Sequence, residues 1–437
     1  MKKIFSIITL GCKVNQYESS SIATTLTDMG YEYREFPCKC DICLVNTCTV
    51  TSISDKKSRQ MISRVSTSNP GCIIIATGCL AQRDPDTLKK CGAHIITGNH
   101  EKASFREILE AYIKQKDPTY TDVTEIGSYR EFEHMEYPDS WERIRGYVKI
   151  EDGCDNFCSY CIIPYVRGRV RSRDMDDIYR EVSFMAEKGL KEVVLTGIHL
   201  DSYGKDLEGV DLGDVINRLS GINAIKRIRL GSLEPVIITD VFIAKVKSSD
   251  KLCPEFHLSL QSGSDKVLKD MNRKYTRQQY IDAVNKIRDN YADAEITTDI
   301  IVGYPTESDD DFLESVSIVK VVRFLKVHVF KFSKRKGTKA ANLKELDPDI
   351  LNERSGILIA EARKMSEERM SHYLNKTVEV LAEHVEKDMV IGHTCNFMKV
   401  IARAGDAETS ADKINNFINV RITDVSDEQL IGDIIYD

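Results

Sequence analysis

One short stretch limits what this chain can fold into more than any other. Residues 153–161 read Gly-Cys-Asp-Asn-Phe-Cys-Ser-Tyr-Cys, so that Cys154, Cys158 and Cys161 follow the spacing Cys-x3-Cys-x2-Cys. Three thiols on one loop can bind a single inorganic cluster, because thiolates are the ligands of iron–sulfur centres. A four-iron cluster held by three cysteines leaves one iron without a protein ligand, and an open position is typical of reactive metal sites. The stretch therefore predicts a reactive iron–sulfur loop.

Two other interpretations of this loop stay open from the residues alone. A zinc knuckle requires a fourth cysteine or histidine nearby, and residues 162–201 offer only His199. The other alternative is a set of three reduced cysteines buried in an apolar core. The open-iron site accounts best for the spacing, and we adopt it as the working hypothesis.

The cysteine content indicates a reducing compartment. The chain has 437 residues and 13 cysteines, with several metal-ligand spacings and no regular disulfide framework. The first twelve residues look like a bacterial lipoprotein signal ending in Cys12, but their apolar run is short and is interrupted by Ser6 and Thr9. We interpret that run as a buried strand and expect no membrane span elsewhere. A cytoplasmic protein is predicted.

Residues 1–128 alternate short apolar strands with helical stretches, which predicts an open parallel sheet. The strands are expected at 3–9, 42–46 and 73–77, and the helices at 16–29 and 54–66. A cysteine follows each strand almost at once: Cys12, Cys48 and Cys79. The carboxyl ends of parallel strands meet at one edge of a sheet, where such folds bind ligands. Three thiols distant in sequence are therefore expected to converge.

Other cysteines lack comparable placement. Cys38, Cys40 and Cys43 have a short metal-like spacing, but Cys43 lies inside a predicted apolar strand, which favours buried free thiols. The remaining four have no partner in the sequence pattern: Cys72, Cys91, Cys253 and Cys395.

Residues 129–144 lack periodicity and are interpreted as a linker. From 145 the alternation resumes, with strands expected at 147–150, 192–196, 227–230, 255–260, 295–302 and 325–330 and helices at 177–188 and 276–289, among others. Six β-α units make a partial (β/α)6 barrel, whose reactive residues lie at the carboxyl ends of the strands. The cysteine loop follows the first of these strands. Polar clusters follow four others, at 196–199, 231–235, 261–264 and 303–307.

The tail, residues 374–437, follows a long helical stretch at 350–374. Short strands expected at 378–382, 389–392, 398–402, 417–422 and 429–433 predict a small β-barrel, a frequent RNA-binding module. From Lys376 onward the chain has 6 basic and 12 acidic residues, so RNA binding there would depend on shape and a few placed side chains. The formal net charge of −7 argues against non-specific nucleic-acid coating. The basic runs 167–173 and 331–339 are interpreted as solvated surface.

Three groups of motifs together resemble one family. Residues 10–19 (Leu-Gly-Cys-Lys-Val-Asn-Gln-Tyr-Glu-Ser), 46–51 (Asn-Thr-Cys-Thr-Val-Thr) and 77–82 (Thr-Gly-Cys-Leu-Ala-Gln) resemble the amino-terminal domain of the methylthiotransferases. Residues 153–164 resemble their radical S-adenosylmethionine (SAM) core, and the tail is similar to a TRAM domain. The resemblance implies a methylthiotransferase domain at 1–128, a linker at 129–144, a radical SAM core at 145–373 and a TRAM domain at 374–437.

The resemblance implies two kinds of cofactor, iron–sulfur clusters and SAM. Two iron–sulfur clusters are expected: a 4Fe-4S radical SAM cluster on Cys154, Cys158 and Cys161, and an auxiliary cluster on three others, Cys12, Cys48 and Cys79. One SAM would methylate a sulfur of the auxiliary cluster, and a second would give the 5′-deoxyadenosyl radical that activates an unreactive C–H bond. The expected SAM contacts are Thr196, Gly197, Glu234, Gln261 and Arg273.

Within the family, the chain is most similar to the subgroup that acts on N6-threonylcarbamoyladenosine at position 37 of tRNA. The implied partners are a tRNA anticodon stem-loop, an electron-donor protein and a sulfur source, with no membrane. Isopentenyladenosine in tRNA and a ribosomal-protein aspartate are alternative substrates, because other subgroups use them. A non-catalytic, metal-dependent RNA-binding protein is a further alternative.

Overall fold

The computed structural model describes residues 2–115, 119–139, 144–403 and 411–436. An open α/β sheet comes first, a partial β/α barrel follows, and a small closed β-barrel ends the chain. The predicted fold class is confirmed. Within the described ranges, no helix is both long and apolar enough to cross a membrane.

The first sheet has six parallel strands in the order β2-β1-β3-β4-β5-β6. Strand β3 is buried along its whole length, as expected for a central strand with helices on both faces. The elements are β1 Ile4–Thr9, α1 Lys13–Asp28, β2 Glu32–Tyr33, β3 Ile42–Thr47, α2 Ser52–Ser68, β4 Ile73–Gly78, α3 Cys79–Arg83, α4 Pro85–Lys90, β5 Ile95–Thr97, α5 Phe105–Gln115 and β6 Tyr120–Asp122.

The sequence pattern missed three strands of this sheet, β2, β5 and β6. Each has only two or three residues, which is too short to show alternation of apolar and polar positions. Strands β1, β3 and β4 lie where they were predicted, to within one residue at each end.

The second unit contains two three-stranded parallel sheets, β7-β10-β11 and β12-β13-β14. Backbone hydrogen bonds from Leu233 N to His257 O (2.8 Å) and from Ser259 N to Leu233 O (2.9 Å) join them into one curved wall. The elements are β7 Arg145–Lys149, β8 Glu151–Asp152, α6 Ile163–Arg167, β9 Arg171–Ser172, α7 Met175–Glu187, β10 Glu192–Thr196, α8 Leu212–Ser220, β11 Arg227–Leu230, α9 Asp240–Val246, β12 Glu255–His257, α10 Asp265–Asp270, α11 Arg277–Asn290, β13 Glu295–Val302, α12 Asp309–Val322, β14 Lys326–Lys331 and α13 Pro348–Ser371.

Alternation along β13 shows which side of the wall is the barrel interior. Ile296, Ile300 and Val302 belong to the main apolar core, together with helix residues such as Tyr280 and Phe312. Side chains of a strand point alternately to opposite faces. The even-numbered residues of β13 therefore face the surrounding helices, and the odd-numbered residues face the interior of the barrel.

The tail forms a closed barrel in the order β15-β16-β17-β19-β18. Its strands are β15 Thr377–Glu386, β16 Met389–Thr394, β17 Lys399–Arg403, β18 Phe417–Ser426 and β19 Gln429–Ile434. It docks on the first residues of the central strands: Arg227 binds Glu379 at 3.0 Å, and Arg229 donates to Thr394 O at 2.8 Å. The tail therefore lies at the end of the central barrel opposite the cysteine loop.

Residues 129–139 of the predicted linker contain no helix or strand, and they are fixed in place. Glu133 accepts the Ala103 N–H at 2.8 Å, and the Tyr137 hydroxyl donates to Asp177 at 2.6 Å. Residues 140–143 lie outside the described part of the chain.

The interpretation of the run 167–173 as solvated surface is wrong for three of its arginines. Arg167, Arg171 and Arg173 are 0%, 1% and 2% exposed. Their partners are buried carboxylates on both sides of the boundary between the first two units, which the spacing of a basic run cannot reveal.

Candidate active site

The three cysteines that follow the strands of the first sheet converge at its carboxyl edge. Cys12 is the N-cap of α1, Cys48 follows β3, and Cys79 opens α3. A β-carbon at Gly11, which has φ +104°, would lie 3.1 Å from the Cys48 sulfur, so the Cys12 loop passes directly over Cys48. Burial, aided by the neighbouring Cys79, raises the pKa of Cys48 to about 11. The structure thus brings the three thiols together, and their role as ligands stays a prediction.

Two asparagines hold these loops against each other. Asn15 Nδ2 donates to Leu10 O at 2.7 Å and to Thr47 O at 3.1 Å, which fixes the backbone just before Cys12 and Cys48. Asn46 Nδ2 in turn donates to Asn15 O at 3.0 Å. The thiol positions are therefore set by buried hydrogen bonds as well as by strand ends.

The sulfur of Cys79 has donors suited to a thiolate. Arg167 Nε lies 3.4 Å and Asn99 Nδ2 lies 3.7 Å from it. Cys48 and Cys79 are buried, whereas Cys12 is exposed. Three soft ligands with N–H donors on one side and solvent on the other fit an iron–sulfur cluster with an open position.

The second cysteine loop follows β8 and is held by backbone contacts. Cys154 N donates to Gly168 O at 3.0 Å, and Ser159 N donates to Met271 O at 3.0 Å. Gly153 has φ +89°, and a β-carbon there would lie 1.9 Å from Arg169 O. Only glycine fits this turn without displacing the backbone.

Burial favours the protonated form of two thiols of this loop, Cys154 and Cys161. Burial is the main reason that the pKa of Cys161 rises to about 12 and that the pKa of Cys154 is also raised. Arg273 Nη1 donates to the Cys158 sulfur at 3.4 Å. Iron binding at this loop therefore has to release protons.

The predicted SAM contacts lie around this loop at the carboxyl ends of the barrel strands. Arg273 connects Cys158 to Glu234, because its Nη2 lies 2.9 Å from Glu234 Oε1. Asn156 Nδ2 donates to the same carboxylate oxygen at 2.8 Å. Arg273 is the one predicted contact that hydrogen bonds to a cysteine of this loop within the described residues.

The other three predicted contacts are placed by backbone geometry. Thr196 ends β10, and its carbonyl accepts the Ile150 N–H at 2.9 Å. At Gly197 a β-carbon would lie 2.6 Å from Glu151 Oε2. Gln261 has φ +67° and donates its N–H to Asp299 O at 2.8 Å. These positions face the mouth, and their contact with SAM stays a prediction.

Sequence reasoning missed two acidic residues with buried side chains at this mouth, Glu151 and Asp201, whereas His199 belongs to the predicted polar cluster 196–199. Glu151 accepts the His199 N–H at 2.7 Å, and burial raises the pKa of this carboxyl well above its usual range. Burial also raises the pKa of Asp201 to about 6. One oxygen of each carboxyl is buried without a hydrogen-bond partner among the described residues, as expected where a polar ligand such as SAM binds. The sequence could have pointed to Glu151, because this residue directly follows a predicted barrel strand, where reactive residues are expected.

The two cysteine sets lie next to each other. Cys79 packs against Ile162, which directly follows Cys161, and against Val166 of α6. Cys79 is also close enough to Cys161 to contribute, after burial and Cys158, to the raised pKa of Cys161. The site therefore combines thiols of the first sheet and of the barrel in one region.

A buried charge cluster fixes this juxtaposition. Glu18 of α1 lies 2.9 Å from Lys149 Nζ and 3.2 Å from Lys102 Nζ, and it also binds Arg167. Asp152 lies 2.7 Å from Lys149 and 3.2 Å from Arg167. Arg167 additionally donates to Asn15 at 2.6 Å. One guanidinium thus joins Cys79 and Glu18 of the first unit to Asp152, which lies two residues before Cys154.

Comparison with known proteins agrees with this two-part site. Residues 148–319 match the radical SAM superfamily, and residues 4–98 match a family described as uncharacterized protein family UPF0004. The chain is 37% identical over 422 residues to the threonylcarbamoyladenosine tRNA methylthiotransferase MtaB of Bacillus subtilis, covering 95% of this chain and 92% of that protein. It belongs to the radical SAM methylthiotransferase family. This methylthiotransferase therefore has a 4Fe-4S cluster, an additional iron–sulfur cluster and SAM as cofactors.

Other relatives of this methylthiotransferase carry two different names. The Aquifex aeolicus protein, also named MtaB, is 38% identical and covers 88% of this chain and 93% of its own length. The tRNA-2-methylthio-N(6)-dimethylallyladenosine synthase of Acetivibrio thermocellus is 35% identical and covers 99% and 91%. The radical SAM methyltransferase TsrM of Kitasatospora setae has a similar fold, with a TM-score of 0.58, 12% identity and coverage of 78% and 75%.

Proposed function

We propose that this methylthiotransferase adds a methylthio group to C2 of N6-threonylcarbamoyladenosine at position 37 of tRNA. The observation that carries this proposal is the direct packing of Cys79 against Ile162, the residue after Cys161. A radical generator alone needs only the second cysteine set, whereas sulfur insertion needs a sulfur-bearing site beside it. Relatives named MtaB at 37% and 38% identity support the choice of substrate.

We propose Cys154, Cys158 and Cys161 as ligands of the radical SAM cluster, and three others, Cys12, Cys48 and Cys79, as ligands of the auxiliary cluster. When bound, the clusters and SAM supply the one-electron chemistry and the transferred methyl and sulfur groups. The chain positions and shields these groups. Thr196, Gly197, Glu234, Gln261 and Arg273 are proposed to orient SAM at the mouth.

The barrel interior favours a polar modified base. His257 Nδ1 lies 2.9 Å from Thr297 Oγ1, and His257 Nε2 lies 3.3 Å from Asp299 Oδ2. His328 of β14 pairs in register with Asp299, and its ring centroid is 6.0 Å from that of His257. A dimethylallyl group offers no partner to His257 Nε2, which is buried and makes no hydrogen bond within the described residues, and leaving it so is costly. A threonylcarbamoyl group offers hydroxyl and carboxylate partners.

Exposed lysines at the mouth support RNA as the substrate. Lys331 ends β14, and the following Lys334, Lys336 and Lys339 are exposed. Arg335 is the exception, because it is buried and lies 2.8 Å from Asp55. These cations are proposed to contact phosphates of the anticodon stem-loop.

The remaining parts of the proposal follow from the chemistry and from the sequence. An electron-donor protein is required to reduce the radical SAM cluster, and a sulfur source is required because each product retains one sulfur atom. A cytoplasmic location matches the substrate and the reduced cysteines. We also propose the division into units at 1–128, 129–144, 145–373 and 374–437.

A nucleoside profile of tRNA from a deletion strain tests the substrate. We expect the methylthio form of threonylcarbamoyladenosine to be lost while threonylcarbamoyladenosine itself persists, and a plasmid copy of the gene to restore the product. Loss of the methylthio form of isopentenyladenosine instead would contradict the proposal. A ribosomal-protein substrate predicts an unchanged tRNA profile.

Iron analysis with SAM cleavage tests the enzyme against a non-catalytic RNA-binding protein. The protein purified anaerobically should release 5′-deoxyadenosine under reductant. Replacing Cys154, Cys158 and Cys161 by alanine should abolish this release and leave roughly half of the iron, if the two sites load independently. The matched triple substitution of Cys91, Cys253 and Cys395 should leave iron and cleavage unchanged. Wild-type protein that binds zinc and releases no 5′-deoxyadenosine would contradict the assignment.

A further inference from the structure

Four cysteines cluster at the edge of the first sheet opposite the auxiliary site. Cys38 and Cys40 lie in the loop before β3, Cys43 is the second residue of β3, and Cys72 directly precedes β4. The short spacing of the first three gave no clear ligand set, because the sequence does not reveal Cys72 as a neighbour. The structure brings this fourth thiol, from 32 residues away, to the same place.

Cys40 is the centre of the cluster. Its sulfur lies 3.7 Å from the Cys72 sulfur. Cys43 and Cys72 belong to one apolar cluster with Cys40 packed against it, and Cys38 lies two residues before Cys40 in the same loop. Cys43 and Cys72 are 0% and 3% exposed, whereas Cys38 and Cys40 are half-buried. The cluster is thus shielded by the sheet and open at the loop.

One residue holds the backbone of both halves of the cluster. Asn69 Oδ1 accepts the Cys40 N–H at 3.2 Å, and Asn69 O accepts the Cys72 N–H at 3.1 Å. Asn69 is 7% exposed. Cys40 and Cys72 are therefore held at a fixed separation independently of their sulfur atoms, as in a preorganised ligand site.

We propose that Cys38, Cys40, Cys43 and Cys72 bind Zn²⁺ through four sulfur ligands. With Zn–S bonds of about 2.3 Å, neighbouring sulfurs of a tetrahedral site are about 3.8 Å apart, which the Cys40–Cys72 pair already matches. Rotation of the Cys38 and Cys43 side chains toward the Cys40–Cys72 pair would close the site. Thiolate-only sites select thiophilic metals such as zinc over Mg²⁺ or Ca²⁺.

This site is distinct from the auxiliary site. Strand β3 has six residues, which at about 3.3 Å per residue separate the two ends by about 20 Å. A metal here would join the loop before β3 to the start of β4. The opposite ends of these two strands carry Cys48 and Cys79. Its role would be structural, because a closed four-sulfur shell leaves no position for a substrate.

The test uses the full chain with its iron–sulfur sites filled, so that zinc cannot occupy them. The reconstituted protein is exposed to Zn²⁺, passed over a chelating resin, and analysed for zinc and iron. X-ray absorption at the zinc edge then reports the ligands without interference from iron. We expect about one zinc per chain with only sulfur neighbours at about 2.3 Å.

The variant Cys40→Ser/Cys72→Ser should lose this zinc and keep the iron of the wild type. Cys91→Ser, which removes another half-buried cysteine of the same unit, should keep both metals. The proposal is overturned by less than a tenth of a zinc per chain in iron-replete wild type, by nitrogen or oxygen ligands, or by a Cys40–Cys72 disulfide in mass spectra. It is also overturned if the double variant retains zinc. If that variant fails to fold, the wild-type measurements decide alone.

Discussion

Replacing Glu18 by glutamine removes the carboxylate that faces three buried cations across the boundary between the first sheet and the barrel. Its side chain is fully buried, and its partners are Lys102, Lys149 and Arg167. Removing one partner of a buried ion pair costs about 3–5 kcal/mol, because the other charge stays uncompensated. Asp152 still lies 2.7 Å from Lys149, so we expect the lower end, about 3 kcal/mol.

That loss is large against a typical unfolding free energy of about 5–15 kcal/mol. Urea denaturation of the apo protein, with far-UV circular dichroism as the signal, measures it. Glu136→Gln is the matched control, because Glu136 lies 3.6 Å from Arg106 in a half-exposed pair, and such pairs contribute at most about 1 kcal/mol. If Glu18→Gln unfolds within 0.5 kcal/mol of the wild type, roughly the level of an ordinary surface change, the buried cluster does not hold the two units together.

The pH dependence provides an internal check on the same variant. Burial alone would raise the pKa of Glu18, but Arg167, Lys102 and Lys149 together lower it well below its usual range. A carboxyl with a lowered folded pKa stabilises the fold above its unfolded pKa, about 4.3, and this contribution is lost as the pH falls toward the folded value. The difference between wild type and Glu18→Gln should therefore be complete at pH 7 and shrink in acid.

Three further variants test the site. Gly153→Ala places a β-carbon 1.9 Å from Arg169 O, so the iron content should fall by roughly half. Gly30 has nearly the same positive φ but open space around its α-carbon, so Gly30→Ala should keep the full iron content. Equal iron in both variants would refute the steric argument. Lys334→Ala/Lys336→Ala should weaken tRNA binding and reduce its salt slope by about two, and an unchanged slope in filter binding would remove these lysines from the interface. His328→Leu should lower turnover of threonylcarbamoyl tRNA by about tenfold or more, the worth of a hydrogen bond to a charged group, without affecting SAM cleavage alone. The exposed His384, changed to leucine, is its control, and equal turnover of both variants would exclude contact with the base.

The parts of the structure that depend on regular patterns were predictable. The buried central strand β3 begins with an apolar run, residues 42–45. The convergence of cysteines that follow such strands needs only the rule that parallel strands end at one edge. The convergence of Cys12, Cys48 and Cys79 follows from that rule. The sequence shows a glycine at position 153, but it does not show why glycine is needed there. The reason is the close approach of Arg169 O, which only the folded chain reveals.

Contacts between distant segments were not predictable in this way. Arg167 resembled solvated charge, because nothing near it in sequence shows that Glu18 lies 149 residues away in the same buried cluster. Asn69 and Cys72 looked ordinary for the same reason. A single sequence reports periodicity within an element, whereas the pairing of buried charges and thiols is decided by how the elements pack.

The hydrogen bond from Arg167 to Cys79 also implies an order of events during synthesis. The two residues are separated by 88 positions, and at about 5–20 residues per second a ribosome needs roughly 4–18 s to pass from one to the other. Through that interval the emerging amino-terminal sheet presents its thiols without the guanidinium that later covers Cys79. Iron delivered early meets an accessible pocket, and iron delivered late meets one that the barrel has already closed on one side.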